Sequence, residues 1–570
     1  MAKGEMDNGD NDCFISFKQI LNTFSESPLR NHNSAPHFHR SMSSWDDTDS
    51  RAVHVRPEMF EYPFENLIFE GGGNKGLAYC GAIQCLEDMN ILPNIKRVGG
   101  SSAGAITATL VALGYTSKDI YAFMSDNVEE IFLDHSCGYL SLIPNLLRRW
   151  GWNPGHKIFK WFGDRIKART VTNNPDLTFY ELYKERGVEL CVVVTNLNQM
   201  RSEYCHPKTT PDMPIREALR MSMSIPGVFM ACMYDNYGQK DAYVDGGVLC
   251  NYPIHCFDGW FLSMDTDDSF LLKMQNLNDL PQKWSVKNTF GERNKKTVGF
   301  LLYDDTEVEI MRYSLERRIN SVLPEKPSRQ TKLYKQKQQE KEIQTKFEKE
   351  HTRCVKAAEA FMKALHKHNL QDQVVISKDE LRNALEDVSS FSAEDKELLF
   401  GQDISVDDAF EILDRDGNGQ GFLHSVKNVR GLKRQNIHLP QTRIQGYGRI
   451  EVNNLVQFIS ALQNTWTTNL KNIYVGDEDV HRTVGINTGH VGTSNYVLEE
   501  EDRTFLIERG YSATMAFLRY FVTMNPNLVK KNLNHKDITA EIDETEELEF
   551  TGKQHIENKK SKLVFPPAIA

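Results

Sequence analysis

No apolar run in the 570 residues approaches the roughly 18 needed to span a bilayer, so no helical membrane anchor is expected. No C-x-x-C pair occurs among the ten scattered cysteines, which makes reduced thiols and a cytoplasmic location the expectation. An excess of basic charge is also lacking. The net charge of −11 and a pI near 5.9 argue against nucleic acid as a main partner. Residues 1–12 are acidic and polar and lack what a secretory signal requires. Compositional bias is absent too: 40% apolar and 25% charged residues describe an ordinary globular protein, long enough for two or three domains.

What is present is concentrated between residues 66 and 104. The apolar run Leu67-Ile68-Phe69 leads into Gly71-Gly72-Gly73-Asn74-Lys75-Gly76, a helix, a short strand over 95–98, and then Gly100-Ser101-Ser102-Ala103-Gly104. Glycine at both ends of a G-x-S-x-G pentapeptide permits a sharp strand-to-helix turn that leaves the hydroxyl of Ser102 reachable. A glycine-rich loop at a helix start directs free N–H groups at an anion or a developing oxyanion. Presented hydroxyl and donor loop together suit acyl transfer.

Residues 1–60 read as a disordered leader, in which Phe14, Ile15, Phe17, Ile20 and Leu21 could form one amphipathic turn. From Phe64 the pattern is β-α-β. Helical spacing after Gly76 runs to Ile91-Leu92-Pro93, with Cys80 and Cys85 as small core residues, and a buried helix over 103–113 closes at Gly114. Residues 115–188 predict two or three helices, and 190–195 a buried strand. A helix over 215–223 precedes Tyr243-Val244-Asp245-Gly246-Gly247 and Asn251-Tyr252-Pro253. Strands alternating with helices argue for an α/β domain with a mainly parallel sheet.

These pieces, in this order, resemble the patatin-like phospholipase family: Gly71 to Gly76 as its glycine-rich loop, Gly100 to Gly104 as its nucleophile elbow, and Asp245-Gly246-Gly247 as its acid motif. The stretch Ser222-Met223-Ser224-Ile225-Pro226-Gly227 is similar to the family's linker between elbow and acid. The resemblance resumes late, at a strand from Arg482, a loop, and a closing helix through Gly510 and Phe517, with residues 454–466 resembling the preceding helix. It implies a three-layer α/β sandwich of parts 64–306 and 452–525, split by an all-α insertion at 307–451 and followed by a disordered tail at 531–570. The insertion opens with a long, highly charged segment over 317–367 that reads as a solvated helix.

Within it, Asp414-Arg415-Asp416-Gly417-Asn418-Gly419-Gln420 resembles the opening of an EF-hand calcium loop, with oxygen donors Asp414, Asp416, Asn418 and Gln420. Position 8 is Gly421, and position 12 is Ser425 where a bidentate glutamate belongs, so a calcium site and a vestigial loop both remain open. Residues 369–380 resemble a second loop with Glu380 at position 12, and 443–454 a third relic with Glu451 as its one acidic residue.

The resemblance implies a dyad: Ser102 as nucleophile and Asp245 as its direct proton acceptor, with N–H groups of Gly72, Gly73 and Asn74 holding the oxyanion. Lys75 stands where the family carries a basic residue. A Ser-His-Asp triad would need His255 or His490, which no motif supports. A dinucleotide site needs an acid at the end of the second strand, which instead ends Arg97-Val98-Gly99-Gly100. The expected activity is hydrolysis of phospholipid or related acyl esters at a membrane surface, by a protein that associates peripherally. No cofactor is required for the chemistry, and calcium is a candidate ligand of the insertion. The competing class is a lipid-binding or calcium-responsive scaffold that keeps the fold.

Overall fold

The computed structural model describes residues 57–125, 150–305, 311–319, 329–368, 375–414, 421–422 and 475–529. Positions 237, 276, 280–282, 402–403, 494 and 496 are excepted, and isolated positions 134, 145, 461, 462, 465, 469 and 470 are added. The tail, most of the leader, most of the helix expected over 454–466 and the third loop relic lie outside them.

The chain runs β1 (Asn66–Phe69), α1 (Ala78–Asp88), β2 (Arg97–Ser101), α2 (Ala103–Ala112), α3 (Ser117–Ser125) and β3 (Gly151–Asn153). Next come α4 (His156–Arg169), α5 (Phe179–Arg186), β4 (Glu189–Asn196), β5 (Arg201–Cys205) and α6 (Ile215–Ser222). After them lie β6 (Gly227–Phe229), β7 (Cys232–Asn236), β8 (Gln239–Asp245) and β9 (Thr297–Tyr303). α1 ends earlier than its apolar spacing suggests. Asn90 takes a left-handed conformation (φ 55°), and Leu92–Asn94 forms a separate 3-10 turn.

The central sheet has the order β12-β9-β1-β2-β4-β8-β7, where β12 is Thr483–Asn487, far downstream. Pairing is parallel from β12 through β4 and antiparallel at β8 and β7, so the fold is mixed α/β with a mostly parallel sheet. Alternate residues feed two cores. Leu67, Phe69, Leu190, Val192, Phe300 and Leu302 face the layer built from α1, α2 and their neighbours. Ile68, Cys191, Val193, Leu301 and Tyr303 face the opposite way, against Tyr252, Ile254, Cys256 and Leu262. That second layer is mostly irregular chain.

The layer is completed by α7 (Arg312–Ile319), whose Met311 and Leu315 side join the same core, although the sequence reading counts it with the insertion. Next is α8 (Lys332–Lys367), a helix of 36 residues. Its start is fixed on the α/β domain, with Leu333 packed on the larger core. Its second half is not solvated as expected: Cys354, Ala357, Ala358, Phe361, Ala364 and Leu365 recur at helical spacing and are buried. They form a separate core with α9 (Lys378–Glu386), α10 (Ala393–Phe400) and α11 (Val406–Leu413). Here β10 (Val375–Ile376) pairs antiparallel with β11 (Gly421–Phe422), setting Ile376 opposite Gly421.

The chain then returns to the sheet with β12 and closes with α12 (Glu500–Met524). α12 crosses α1 at a pair of glycines. A Cβ on Gly81 would stand 1.8 Å from the carbonyl oxygen of Ile507, and one on Gly510 1.8 Å from that of Ala78. Only glycine permits this backbone approach.

Candidate active site

β4 acts as the template of the site. Its Val193 pairs with Ser101 at the end of β2, and the next residue, Val194, pairs with Asp245 at the end of β8. β2 runs parallel to β4 and β8 antiparallel, so the two strand ends approach head to head along one edge of β4. β5 occupies the other edge. Ser102, the residue after Ser101, is thereby brought beside Asp245, 143 positions away in the chain.

Ser102 sits on the turn from β2 into α2 with φ 53° and ψ −127°, a sparsely populated conformation for a side-chain-bearing residue. The turn is tight enough that a Cβ on Gly104 would come 2.2 Å from the carbonyl oxygen of Phe69. The backbone N–H of Ser102 donates to Ser222 Oγ at 2.9 Å, and Ser222 Oγ donates in turn to the Val193 carbonyl at 2.7 Å. Ser102 Oγ donates to Asp245 Oδ2 at 2.7 Å, with Met223 Sδ 3.8 Å away.

Asp245 is buried. Its N–H donates to the Ser224 carbonyl at 2.9 Å, and its Oδ1 accepts from Gly247 N–H at 2.7 Å. Burial pushes the carboxyl up to about 7, against the lowering influence of the bonds from Ser102 and Gly247. Gly246 is also pinned, because a Cβ there would stand 2.1 Å from the Val193 carbonyl oxygen.

The glycine-rich loop lies directly over the elbow. A Cβ on Gly71 would be 3.0 Å from Ser102 Cβ, and one on Gly76 3.3 Å from Ala103 Cβ. Gly71 N–H is taken by the Asn251 carbonyl at 3.0 Å, and Asn74 N–H by the Thr493 carbonyl at 3.3 Å. The N–H groups of Gly72 and Gly73 make no hydrogen bond among the described residues. Of the three expected donors, Asn74 thus has its N–H engaged, while those of Gly72 and Gly73 are left for a ligand. Lys75 is buried beneath the loop.

The two histidines have other partners. His255 Nε2 lies 2.7 Å from the Tyr204 hydroxyl, and burial pushes its ring down to about 4. His490 Nε2 lies 2.6 Å from Asp502 Oδ1. Of the candidate metal ligands, Asp414 closes α11, while Asp416, Asn418, Gln420 and Ser425 fall outside the described residues. Glu380 is committed to capping α9: its Oε2 accepts from Ser377 N–H and Oγ, each at 2.8 Å. Among the described residues no group of His, Cys, Asp and Glu is arranged to hold a metal ion. Nor is any helix among them long and apolar enough to cross a membrane.

Sequence reasoning singles out Ser102, Asp245 and the glycines, but it gives Ser222, Met223 and Ser224 only a place in the linker and Asn251 no role. The signal for Ser222 was its place in the linker motif. For Asn251 it was the proximity of Asn251-Tyr252-Pro253 to the acid motif.

Residues 67–258 match the model of the patatin-like phospholipase family. The chain is 34% identical over 200 residues to the uncharacterized protein YqhO of Bacillus subtilis, which covers 33% of this chain and 65% of that protein. It is 32% identical over 221 residues to the uncharacterized protein R571 of Acanthamoeba polyphaga mimivirus, covering 38% of this chain and 68% of that one. It is 28% identical over 193 residues to the probable lipid hydrolase 463L of Invertebrate iridescent virus 6, covering 34% and 62%. The chain thus spans about two thirds of each relative, and each relative about one third of the chain. With the fold, the motif order and these matches in agreement, the chain belongs to the patatin-like phospholipase family.

Proposed function

We propose that the protein hydrolyses carboxylic esters of phospholipids or related acyl lipids at a membrane surface, through an acyl-Ser102 intermediate. The observation that carries this reading is the 2.7 Å hydrogen bond from Ser102 Oγ to Asp245 Oδ2, with no histidine between them. The probable lipid hydrolase among its relatives points to the same substrate class.

In the proposed cycle Asp245 accepts the Ser102 proton as Oγ bonds to the ester carbonyl carbon. The carbonyl electrons move onto oxygen, and the N–H groups of Gly72 and Gly73 hold that charge. The intermediate collapses, the C–O bond to the alcohol breaks, and Asp245 returns its proton to the leaving oxygen. Water then gives a proton to Asp245 as it attacks the acyl carbon, the bond from that carbon to Ser102 Oγ breaks, and Asp245 passes the proton to Oγ as the fatty acid leaves. A carboxyl raised to about 7 suits both proton steps near neutrality. No cofactor enters the cycle. Release of fatty acid from phospholipid vesicles by the wild type, with a loss of at least about a thousand-fold in Ser102→Ala and Asp245→Asn, is the expected result. Wild-type turnover by Ser102→Ala would sink the mechanism.

We also propose that the 414–425 loop binds calcium weakly through Asp414, Asp416, Asn418, Gln420 and Ser425. The pairing of Ile376 with Gly421 supports this, because each occupies position 8 of its EF-hand-like loop. Lacking a bidentate carboxylate, the loop is expected to require calcium near millimolar. Titration calorimetry of the full chain with no calcium heat at that level removes the proposal.

A further inference from the structure

Gly72 and Gly73 can serve as donors only if both peptide planes are held while their N–H groups stay unpaired. Two clamps flank the pair. On one side Asn251 grips the two peptide units that meet at Gly71: Gly71 N–H donates to the Asn251 carbonyl at 3.0 Å, and Asn251 Nδ2 donates to the Gly71 carbonyl at 2.9 Å. Asn251 Nδ2 also donates to Glu70 Oε1 at 3.1 Å, and Glu70 Oε2 accepts from Leu302 N–H of β9 at 2.8 Å. The same segment is tied to the acid turn, since Cys250 N–H donates to the Gly246 carbonyl at 2.8 Å.

On the other side Asn74 Nδ2 donates to the Asn495 carbonyl at 2.6 Å, and Asn74 N–H to the Thr493 carbonyl at 3.3 Å. This strap comes from beyond the insertion, 421 positions from Asn74. It lies against the loop closely enough that a Cβ on Gly73 would be 2.5 Å from the Thr493 carbonyl oxygen. The clamped groups end where the unpaired pair begins.

We infer that Asn251 and Asn74 are positioning residues of the esterase site, fixing the Gly72–Gly73 donor pair against the acid turn and against the strap at Thr493 and Asn495. The inference rests on the hydrolase reading above. Neither side chain is assigned contact with substrate. Each acts through the loop, so loosening it should cost turnover far more than substrate affinity.

The test uses the full-length wild type, Asn251→Ala, Asn74→Ala and Asn74→Asp, the last keeping the size of the side chain while removing its donor. Each is titrated to completion with a fluorophosphonate to count reactive serines, with Ser102→Ala as blank. kcat and KM are then measured per labelled site on a soluble short-chain ester. The expected outcome is kcat lower by about ten- to a hundred-fold in all three variants, with KM changed less than about three-fold. Asn74→Asp should track Asn74→Ala. If kcat per labelled site equals that of wild type, the positioning role is overturned, including where the labelled fraction falls because the variant folds poorly. If Asn251→Ala yields no soluble protein, the two Asn74 variants decide. A wild type that takes no label and hydrolyses no ester overturns the hydrolase reading itself, an outcome distinct from a labelled wild type with fully active variants.

Discussion

Asp245 contributes a charge that its surroundings resist, and two measurable effects follow. As the base of the proposed cycle it must be ionised, so kcat/KM should rise with pH through about 7 and level off above it. Stability should move the other way. The folded carboxyl holds its proton more tightly than the unfolded one, so between about 4 and 7 the native state binds more protons and loses stability as pH rises. Asp245→Asn removes that penalty. It is expected to melt several degrees above wild type at pH 8 and close to wild type at pH 4, by at most about 4 kcal/mol at 1.36 kcal/mol per pH unit. Equal melting temperatures at pH 8 would contradict the burial argument. Ser102 and Asp245 were legible in the sequence because glycines flank the serine on both sides and follow the aspartate, and glycine spacing survives in one dimension. Ser222 and Asn251 were not. Their bonds join residues 120 and 180 positions apart, and no periodicity encodes such a meeting.

At the scale of elements, the parallel core was readable from apolar runs and glycine stops, and each predicted strand lies within a few residues of an observed one. The errors fall where tertiary contact overrides local pattern. The charged first half of α8 masked the buried stripe from Cys354 to Leu365, and α7 was read as insertion because its Arg-rich sequence hides Leu315. The crossing of α1 and α12 was invisible, although it depends on two single glycines. Gly510→Ala would force a methyl into the backbone of α1, and overpacking of this kind costs about 1–3 kcal/mol. Thermal denaturation should show a fall of several degrees, with kcat of the remaining folded protein near that of wild type. An unchanged melting temperature would mean that the helices separate without cost.

The molecule as a whole is a sheet whose last member in sequence, β12, lies beside β9 and only two strands from β1. Sequence reading expects a split domain because the family pattern resumes after Arg482. It could not foresee that the later part would reach back to the glycine-rich loop. The consequence concerns the order of synthesis. Ser102 and Asp245 leave the ribosome early, while the strap at Thr493 and Asn495 and the whole of α12 follow roughly 190–220 residues after β9. At the usual 5–20 residues per second that is a delay of about 10–40 s. During it the outer edge of β9 has no strand beside it and α1 has no partner helix, which invites pairing with other chains. Over the same interval Ser102 and Asp245 can meet before the Gly72–Gly73 segment is held, so under the proposed function a nascent chain is expected to reach full esterase activity only once the strap at Thr493 and Asn495 is in place.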